Sequence, residues 1–239
     1  MNVAVLGLGF MGSTHLKAWG SVAGARVAGV MSSDATKLSG DLTSISGNLG
    51  TQGERFDFSS VRKYRTVGEA LADPSVDVAD VCLPTGLHGT VALDALRAGK
   101  HVFVEKPIAL NGTAADAVLK AADVSGRILM AGQVLRFVPA YRAAADWMKH
   151  AGPVFSAVFR RRCAAPAWSK WLSDKSQSGG GAFDLLIHDA DFCISLWGMP
   201  ETVRASGVES LAAGVDIVHA ELRYPNMGPV IVTGGWHHP

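Results

Sequence analysis

The sequence predicts an α/β protein with two domains. The first is a doubly wound parallel sheet, and the second is an α+β domain on a mostly antiparallel, open sheet. Three observations support this: a glycine-rich turn between the first strand and helix, apolar strands alternating with helices up to about residue 134, and strands joined as hairpins after a helix near the end. The predicted domains are residues 1–134 and 135–239.

Composition sets the broad class of the protein. The 239 residues are 48% hydrophobic and 18% charged with a formal net charge of +1, which indicates a compact soluble chain without a nucleic-acid or membrane partner. Three cysteines without CxxC spacing argue against a disulfide framework and suit a reducing cytoplasm. No secretory signal and no uninterrupted apolar run of membrane-spanning length is expected.

The first strand and the turn after it carry the earliest functional signal. Val3–Leu6 is a predicted buried strand, GLGFMG follows at residues 7–12, and a helix follows the turn. In this order a GxGxxG string indicates dinucleotide binding: Gly7 permits the tight turn, Gly9 lets the backbone approach a pyrophosphate, and Gly12 allows close helix packing. The helix N-terminus, including Phe10 and Met11, offers N–H groups to phosphates. An ordinary strand–turn–helix remains the alternative.

The strand–helix alternation continues along the first domain. Further strands are predicted over residues 25–31, 76–84, 101–107 and 127–133, and helices over residues 91–98 and 113–124. The Gly- and Ser-rich residues 39–59 are interpreted as a long mobile loop. The predicted elements of the second domain are a helix over residues 138–150, a strand over 154–162, a loop over 163–178, and strands near 202–208, 216–224 and 230–236.

The segment GGGAFDLLIHDAD, residues 179–191, places polar groups on an apolar helix. On a 3.6-residue period one narrow stripe holds four of them: Asp184, His188, Asp191 and Ser195. This stripe is expected to face a cleft, a ligand or a partner, because a buried unpaired charge is costly. Alternatively Asp184 caps the helix and His188 is a core histidine. Metal binding is disfavoured because His219, His237 and His238 lack suitable spacing, and Asp189 has no predicted place.

Ligands of a doubly wound sheet bind beyond the carboxyl ends of its strands. This rule selects Pro84, Thr85 and His88 after one strand, and Glu105 and Lys106 after the next. His88 is equally consistent with the first turn of the following helix, and Lys106 alone with a solvated surface charge. A cis peptide bond between Lys106 and Pro107 is predicted, since X–Pro bonds adopt cis at low cost.

Five strings together resemble the glucose-fructose oxidoreductase, inositol dehydrogenase and MocA (Gfo/Idh/MocA) family. They are GLGFMG, PTGLH at residues 84–88, AGKHVFVEKP at 98–107, LRFVPAY at 135–141 and the glycine–aspartate–histidine segment at 179–191. The resemblance implies a Rossmann domain and a C-terminal domain whose open sheet mediates homo-oligomer contacts. It also implies oxidation or reduction of sugars, cyclic polyols and related carbonyl compounds with NAD or NADP.

The resemblance also implies a catalytic set, Lys106, Asp184 and His188, which meets across the cleft in the family. His188 would be the base that takes the hydroxyl proton, Asp184 would orient it, and Lys106 would donate to the substrate oxygen. Arg136, Trp168 and Trp171 are predicted substrate contacts, although structural roles suit them as well. Two alternatives remain: an NAD-dependent glycosidase of the same family and a non-catalytic dinucleotide-binding sensor or scaffold.

Two further expectations concern the cofactor and the length of the chain. Ser32 and Ser33, where an acidic residue would favour NAD, and the nearby Lys37 predict dual use or a mild preference for NADP. Chains of the family usually continue for many tens of residues beyond GGWHHP. A shorter C-terminal domain with an exposed sheet edge is therefore expected, together with the possibility of reduced or absent catalysis.

Overall fold

The computed structural model describes residues 1–47, 53–167, 169–209 and 214–236. The chain forms two compact units, Met1–Gly132 and Gln133–Pro239, referred to below as the N-terminal and C-terminal units. Across the described residues, no helix combines the length and the apolar character needed to cross a membrane.

The N-terminal unit contains a six-stranded sheet in the order β3-β2-β1-β4-β5-β6, with every neighbouring pair parallel. The order reverses at β1, as it does in a doubly wound fold, so the predicted parallel sheet is confirmed. The strands are β1 (Asn2–Leu6), β2 (Arg26–Met31), β3 (Arg62–Tyr64), β4 (Val78–Val81), β5 (His101–Val104) and β6 (Leu129–Ala131).

Helices connect the strands of this sheet. Polar side chains cap three of them: Asp34 accepts N–H groups at the start of α2, Thr66 at α3 and Asn111 at α5. The helices are α1 (Phe10–Trp19), α2 (Ala35–Leu38), α3 (Val67–Ala72), α4 (Thr85–Arg97) and α5 (Gly112–Ser125).

Two apolar layers bury both faces of the central strand. Val3 and Val5 of β1 belong to one buried cluster, and Ala4 and Leu6 to another on the opposite face. Successive side chains of a strand point to opposite faces, so a strand covered on both sides is apolar throughout. The continuous run of apolar residues after Asn2 therefore places β1 in the middle of the molecule's first unit.

The C-terminal unit contains a four-stranded sheet in the order β7-β10-β9-β8. The β8–β9 and β9–β10 pairs are antiparallel, whereas β7 lies parallel to β10. The sheet is therefore mixed, with two antiparallel pairs and one parallel pair. Its strands are β7 (Ala157–Arg162), β8 (Thr202–Val208), β9 (Ile217–Arg223) and β10 (Val230–Gly235).

Helices of the C-terminal unit pack against one face of this sheet. Leu186 and Cys193 from the helical side are buried with Leu222, Val230 and Val232 from the strands. The helical segments are a 3₁₀ turn (Val134–Arg136), α6 (Pro139–Met148), a second 3₁₀ turn (Lys170–Ser173), α7 (Lys175–Ser178), a π-helical segment (Ala182–Leu186) and α8 (Ile187–Trp197).

Some predicted element boundaries need correction. The strand β3 and the helices α2 and α3 were not predicted, because each spans only three to six residues and is too short to show a period. Part of the predicted loop over 163–178 is helical. Within the predicted loop over 39–59, the described residues contain one isolated bridge, between Asp41 and Arg55, and residues 48–52 lie outside the described part.

Candidate functional site

The turn between β1 and α1 leaves backbone N–H groups beside open space. Gly7 has a φ of 105°, a conformation that favours glycine. A Cβ at Gly12 would lie 1.9 Å from the carbonyl oxygen of Gly7, whereas a Cβ at Gly9 would meet nothing within 4 Å. No side chain caps α1 at Gly9. The first turn of α1, from Phe10 through Met11 and Gly12, therefore presents N–H groups to which an anion can bind.

Polar and basic groups follow the carboxyl end of β2. The N–H group of Ser32 donates to Tyr64 O at 3.2 Å, and its hydroxyl accepts from Asp34 N–H at 3.1 Å. Asp34 begins α2, which carries Lys37. Arg65, which was not among the predicted residues, has its guanidinium 3.4 Å from Ser33 O. Arg65 directly follows β3, and its place at a strand end could not be predicted because β3 itself was not predicted.

His88 connects the ends of two strands. Its Nδ1 lies 2.8 Å from Pro107 O and its Nε2 2.7 Å from Leu83 O, and its ring is buried. Burial lowers the pKa of His88, although the carbonyl contacts act in the opposite direction. Pro84 precedes α4 and Thr85 begins it, and Thr85 is also buried. These contacts give His88 a structural role, and cofactor binding by Pro84, Thr85 and His88 stays a prediction.

Lys106 follows β5 and is preceded by a buried carboxylate. The Lys106–Pro107 peptide bond is cis, as predicted. The Lys106 N–H group donates to Glu105 Oε2 at 3.2 Å. A Cβ placed on Gly132 would lie 3.0 Å from Glu105 Oε1, so the backbone after β6 closely borders this carboxylate.

A buried polar cluster lies at the carboxyl ends of β4 and β5. His15 of α1 lies between two carboxylates, with Nδ1 2.9 Å from Asp80 Oδ1 and Nε2 3.0 Å from Glu105 Oε1. Cys82 Sγ lies 3.2 Å from His15 Nδ1, and Trp19 Nε1 donates to Asp80 Oδ2 at 2.7 Å. This cluster was not predicted, because its residues lie far apart in the sequence.

Hydrogen bonding controls the charges of the cluster. Burial lowers the pKa of His15, but the hydrogen bonds to Asp80, Cys82 and Glu105 outweigh it and raise that pKa far above its usual range. For Glu105, burial raises the pKa, yet the contact with His15 brings the net value below its usual range. Burial and the neighbouring Asp80 raise the pKa of the Cys82 thiol. The raised pKa values favour an imidazolium at His15 and a neutral thiol at Cys82, and the lowered pKa of Glu105 favours its carboxylate.

In the C-terminal unit, a π-helical segment contains the first residue of the predicted stripe. Asp184 lies within that segment, and His188 lies in the first turn of α8. A π turn holds more residues than a 3.6-residue α turn, so the helix is irregular where the stripe begins, and the shared face of Asp184 and His188 stays a prediction. Both side chains are partly buried. π turns occur frequently at functional sites.

The three glycines before this segment are explained by backbone geometry. Gly179 and Gly180 have φ angles of 73° and 76°. A Cβ on Gly181 would lie 2.7 Å from Asp216 O, and Ala182 N–H donates to Val215 O at 3.0 Å. The glycines thus let the segment pack against its own unit.

Two acidic residues of α8 form bidentate ion pairs. Asp189, which had no predicted place, is buried and accepts from Arg161 Nε and Nη2 at 2.7 and 2.9 Å. Asp191 accepts from Arg136 Nε and Nη2 at 2.8 and 2.7 Å. Arg136 was predicted to contact substrate, and two nitrogens of its guanidinium are occupied by Asp191. A substrate contact by Arg136 stays a prediction.

Trp171, one of the predicted aromatic substrate contacts, lies in an apolar cluster. Trp171 is partly buried and packs in a small apolar cluster with Leu172, Trp236 and Leu185. This packing gives Trp171 a structural role, and its substrate contact stays a prediction. Trp168, His237 and His238 lie outside the described residues.

Both units match known protein-family models. Residues 1–133 match the model described as an oxidoreductase family with an NAD-binding Rossmann fold. Residues 147–239 match the GFO/IDH/MocA C-terminal domain.

Individual relatives agree with these matches. The chain is 32% identical over 211 residues to scyllo-inositol 2-dehydrogenase (NAD(+)) of Bacillus subtilis, covering 87% of this chain and 56% of the relative. It is 27% identical over 227 residues to UDP-N-acetylglucosamine 3-dehydrogenase of Acidithiobacillus ferrooxidans, covering 95% and 64%. The chain thus spans only part of the length of the curated relatives it matches, between 40% and 64% of the first three.

Solved structures show the same fold. GenD2 from gentamicin A biosynthesis, in complex with NAD, superposes with a TM-score of 0.85 at 26% identity, covering all of this chain and 66% of that one. Levoglucosan dehydrogenase, in complex with NADH and levoglucosan, gives a TM-score of 0.85 at 22% identity, covering 100% and 67%. With the family model matching more than half of its length, the chain belongs to the Gfo/Idh/MocA oxidoreductase family.

Proposed function

We propose that this protein is an NAD(P)-dependent oxidoreductase that acts on a CH–OH group of a sugar, polyol, cyclitol or related small carbonyl compound. The observation that carries the proposal is the open space at Gly9, next to the uncapped first turn of α1. A pyrophosphate placed there would meet N–H groups without a side chain in its way. The family membership and the dehydrogenases among the relatives agree with this function.

Residues of the N-terminal unit would hold the cofactor. The pyrophosphate site would be shaped by Gly7, Gly9 and Gly12 together with the N–H groups of Phe10 and Met11. Ser32 and Ser33 follow β2, and the adenosine ribose of a dinucleotide binds after this strand in the fold. Contacts by Pro84, Thr85, His88 and Glu105 are part of the same proposal. The nicotinamide, when bound, accepts or supplies the hydride.

We assign the chemical roles to Lys106, Asp184 and His188. The hydroxyl proton must leave when hydride is removed from a carbinol carbon, and an imidazole is suited to accept it at neutral pH. His188 is proposed as that base, with Asp184 stabilising its charged form. Lys106 would donate to the substrate oxygen and stabilise its negative charge in the transition state. Arg136, Trp168 and Trp171 are the proposed substrate contacts.

The cofactor choice is proposed to be dual, with a mild preference for NADP. Ser32 and Ser33 offer no carboxylate to repel a 2′-phosphate, and Lys37 lies on the helix that follows β2. Arg65, close to Ser33 O, adds a second cation near the same strand end. Two cations near a strand end that binds ribose favour a phosphate monoester.

We also propose that the protein is a cytoplasmic homo-oligomer that associates through its C-terminal sheet. Val158, Arg204 and His219 lie on the face opposite to the buried Leu222 and are exposed. Such an uncovered sheet face is suited to a second copy of the chain. All three cysteines are thiols, in keeping with a reducing compartment. Light scattering after gel filtration tests the oligomer, and a monomer at micromolar concentration would contradict it.

The activity is tested by a screen of sugars, polyols and cyclitols with both NAD and NADP, following nicotinamide reduction by absorbance. Saturable reduction with at least one compound is expected. Turnover of glycosides without net reduction would instead identify a glycosidase. Tight dinucleotide binding without turnover of any compound would contradict the oxidoreductase and favour a sensor or scaffold.

The assignment of His188 is tested by the His188→Ala variant. We expect kcat to fall by about 10² to 10⁴, because the proton acceptor is removed. Cofactor affinity should stay unchanged, since Gly7 and Gly12 lie in the other unit. Turnover, cofactor affinity and melting temperature are measured on one preparation. A well-folded variant with the turnover of the unmodified protein would overturn the assignment.

A further inference from the structure

Two carboxylates from different elements bind the imidazole of His15, and of these three side chains only Glu105 has a role in the function proposed above. His15 comes from the middle of α1, Asp80 from β4 and Glu105 from the residue after β5. All three are buried, at 8%, 0% and 8% exposure. Burying several charged groups is costly unless they pair, so the arrangement needs an explanation beyond simple packing.

Each edge of the His15 ring is engaged. Nδ1 faces Asp80 and the Cys82 sulfur, Nε2 faces Glu105, and the ring stacks on Phe103 with centroids 5.2 Å apart and planes 11° apart. Trp19 supplies a further N–H group to Asp80. With both nitrogens bonded and one face covered, the imidazole has a single orientation.

Glu105 connects the His15 ring to the backbone of Lys106 through two hydrogen bonds. Its Oε1 accepts from His15, its Oε2 accepts from the Lys106 backbone N–H, and Gly132 borders it so closely that a Cβ there would lie 3.0 Å from Oε1. The carboxylate therefore cannot rotate without breaking one of two hydrogen bonds. It ties the backbone at Lys106 to the helix that follows the glycine turn.

We propose that His15 is a positioning residue that sets the orientation of Lys106 through Glu105. The inference rests on the proposed function, in which Lys106 donates to the substrate oxygen. This positioning depends on the charge of the His15 ring. An imidazolium donates to both carboxylates, which carry the opposite charge, whereas a neutral ring can donate to only one of them. Cys82 beside it stays a thiol.

The main test compares His15→Gln with His101→Gln, a matched control on β5 outside the cluster. His15→Gln should lower kcat by about 10- to 100-fold and change cofactor affinity far less, because Lys106 is misplaced while the glycine turn remains. In a Lys106→Met background the same substitution should cause no further loss of kcat. Equal effects of His15→Gln in both backgrounds would overturn the proposal, and so would an equal loss in the His101→Gln control.

Three measurements do not depend on turnover. The rate of reductive methylation of Lys106, followed by mass spectrometry, should change by at least about threefold in His15→Gln and not in His101→Gln. The ¹⁵N resonances of His15 should show a doubly protonated ring between pH 6 and 9. The third measurement is the metal content of the protein after dialysis against a chelator, and one equivalent of retained metal would overturn the proposal. A neutral His15 ring or an unchanged methylation rate would also overturn it.

A second variant covers the case in which His15→Gln fails to fold. Glu105→Gln keeps an oxygen for the Lys106 N–H group but removes the charge that holds His15, so it should also lower kcat and alter Lys106 methylation. If the unmodified protein turns over no compound, the proposed function fails by itself, while the methylation and NMR results still decide the role of His15. An unaltered Lys106 in a folded Glu105→Gln variant would contradict that role.

Discussion

The guanidinium of Arg161 and the carboxylate of Asp189 form a bidentate pair, with Nε to Oδ2 at 2.7 Å and Nη2 to Oδ1 at 2.9 Å. Arg161 also donates to the Tyr141 hydroxyl at 3.2 Å. The Asp189 side chain is 4% exposed and that of Arg161 25%. This pair joins β7 to the helix that carries His188, so it fixes the position of α8 on the sheet.

A comparison of the two ion pairs of α8 tests the effect of burial. Asp189→Asn should destabilise the fold by about 3 kcal/mol, because it leaves a partly buried guanidinium without its countercharge. Asp191→Asn removes the same charge from the more exposed pair with Arg136, whose side chain is 44% exposed, and should cost about 1 kcal/mol or less. Urea unfolding measures both, and equal losses would show that burial does not control these pairs.

Two glycines of the first turn should respond differently to alanine. Gly12→Ala places a Cβ against the Gly7 carbonyl oxygen and should destabilise the protein without cofactor by about 2 kcal/mol. Gly9→Ala meets no atom and should change that stability by less than about 1 kcal/mol. It should nevertheless raise the cofactor Kd by about tenfold or more, because the methyl group enters the space assigned to the pyrophosphate. Unchanged cofactor affinity in Gly9→Ala would place the phosphate elsewhere.

Cofactor preference should depend on Lys37. Lys37→Met is expected to raise the Kd for NADP about tenfold, since one charge-assisted contact to the 2′-phosphate is lost. The Kd for NAD should not change, because NAD lacks that phosphate. Lys63→Met, an exposed lysine on the neighbouring β3, is the matched control. Fluorescence titration with both cofactors gives the answer, and clearly tighter NAD binding by the unmodified protein would overturn the proposed preference.

Acid stability should depend on Asp73. Hydrogen bonds from Ser75 and Tyr64, together with Arg62, hold the pKa of this carboxyl well below its usual range. A lowered pKa in the folded state stabilises the fold above about pH 4, and this contribution is lost as the pH falls. Asp73→Asn should therefore flatten the fall of unfolding free energy between about pH 5 and pH 3. The exposed Asp123→Asn is the control, and parallel pH profiles for Asp73→Asn and the unmodified protein would contradict this prediction.

The doubly wound sheet could be predicted because its signals are local. A strand buried on both faces is apolar throughout, and Gly7, Gly9 and Gly12 follow β1 at spacings set by the turn itself. The cis bond before Pro107 was also predictable from its place after an apolar strand. The short strand β3 could not be predicted, since three residues show no period, and Arg65 was missed with it.

The helical stripe through Asp184 and His188 shows a different limit. Sequence periodicity assumes 3.6 residues per turn, and the π-helical segment over Ala182–Leu186 breaks that assumption. The irregular turn coincides with tertiary contacts of its flanking residues: Gly181 packs on the Asp216 backbone and Ala182 bonds to Val215. A period of 3.6 residues therefore indicated a helix over this segment but not the π-helical turn within it.

The sequence by itself determined the fold class and the strand ends that carry Glu105, Lys106 and Ser32, because residues a few positions apart fix strands, turns and caps. Only the tertiary structure decided which charges meet. His15 pairs with Asp80 across 65 positions and with Glu105 across 90, and Arg161 pairs with Asp189 across 28. The physical reason is that such pairs depend on strand order and helix packing, which bring distant residues together and exclude the water that would otherwise weaken them.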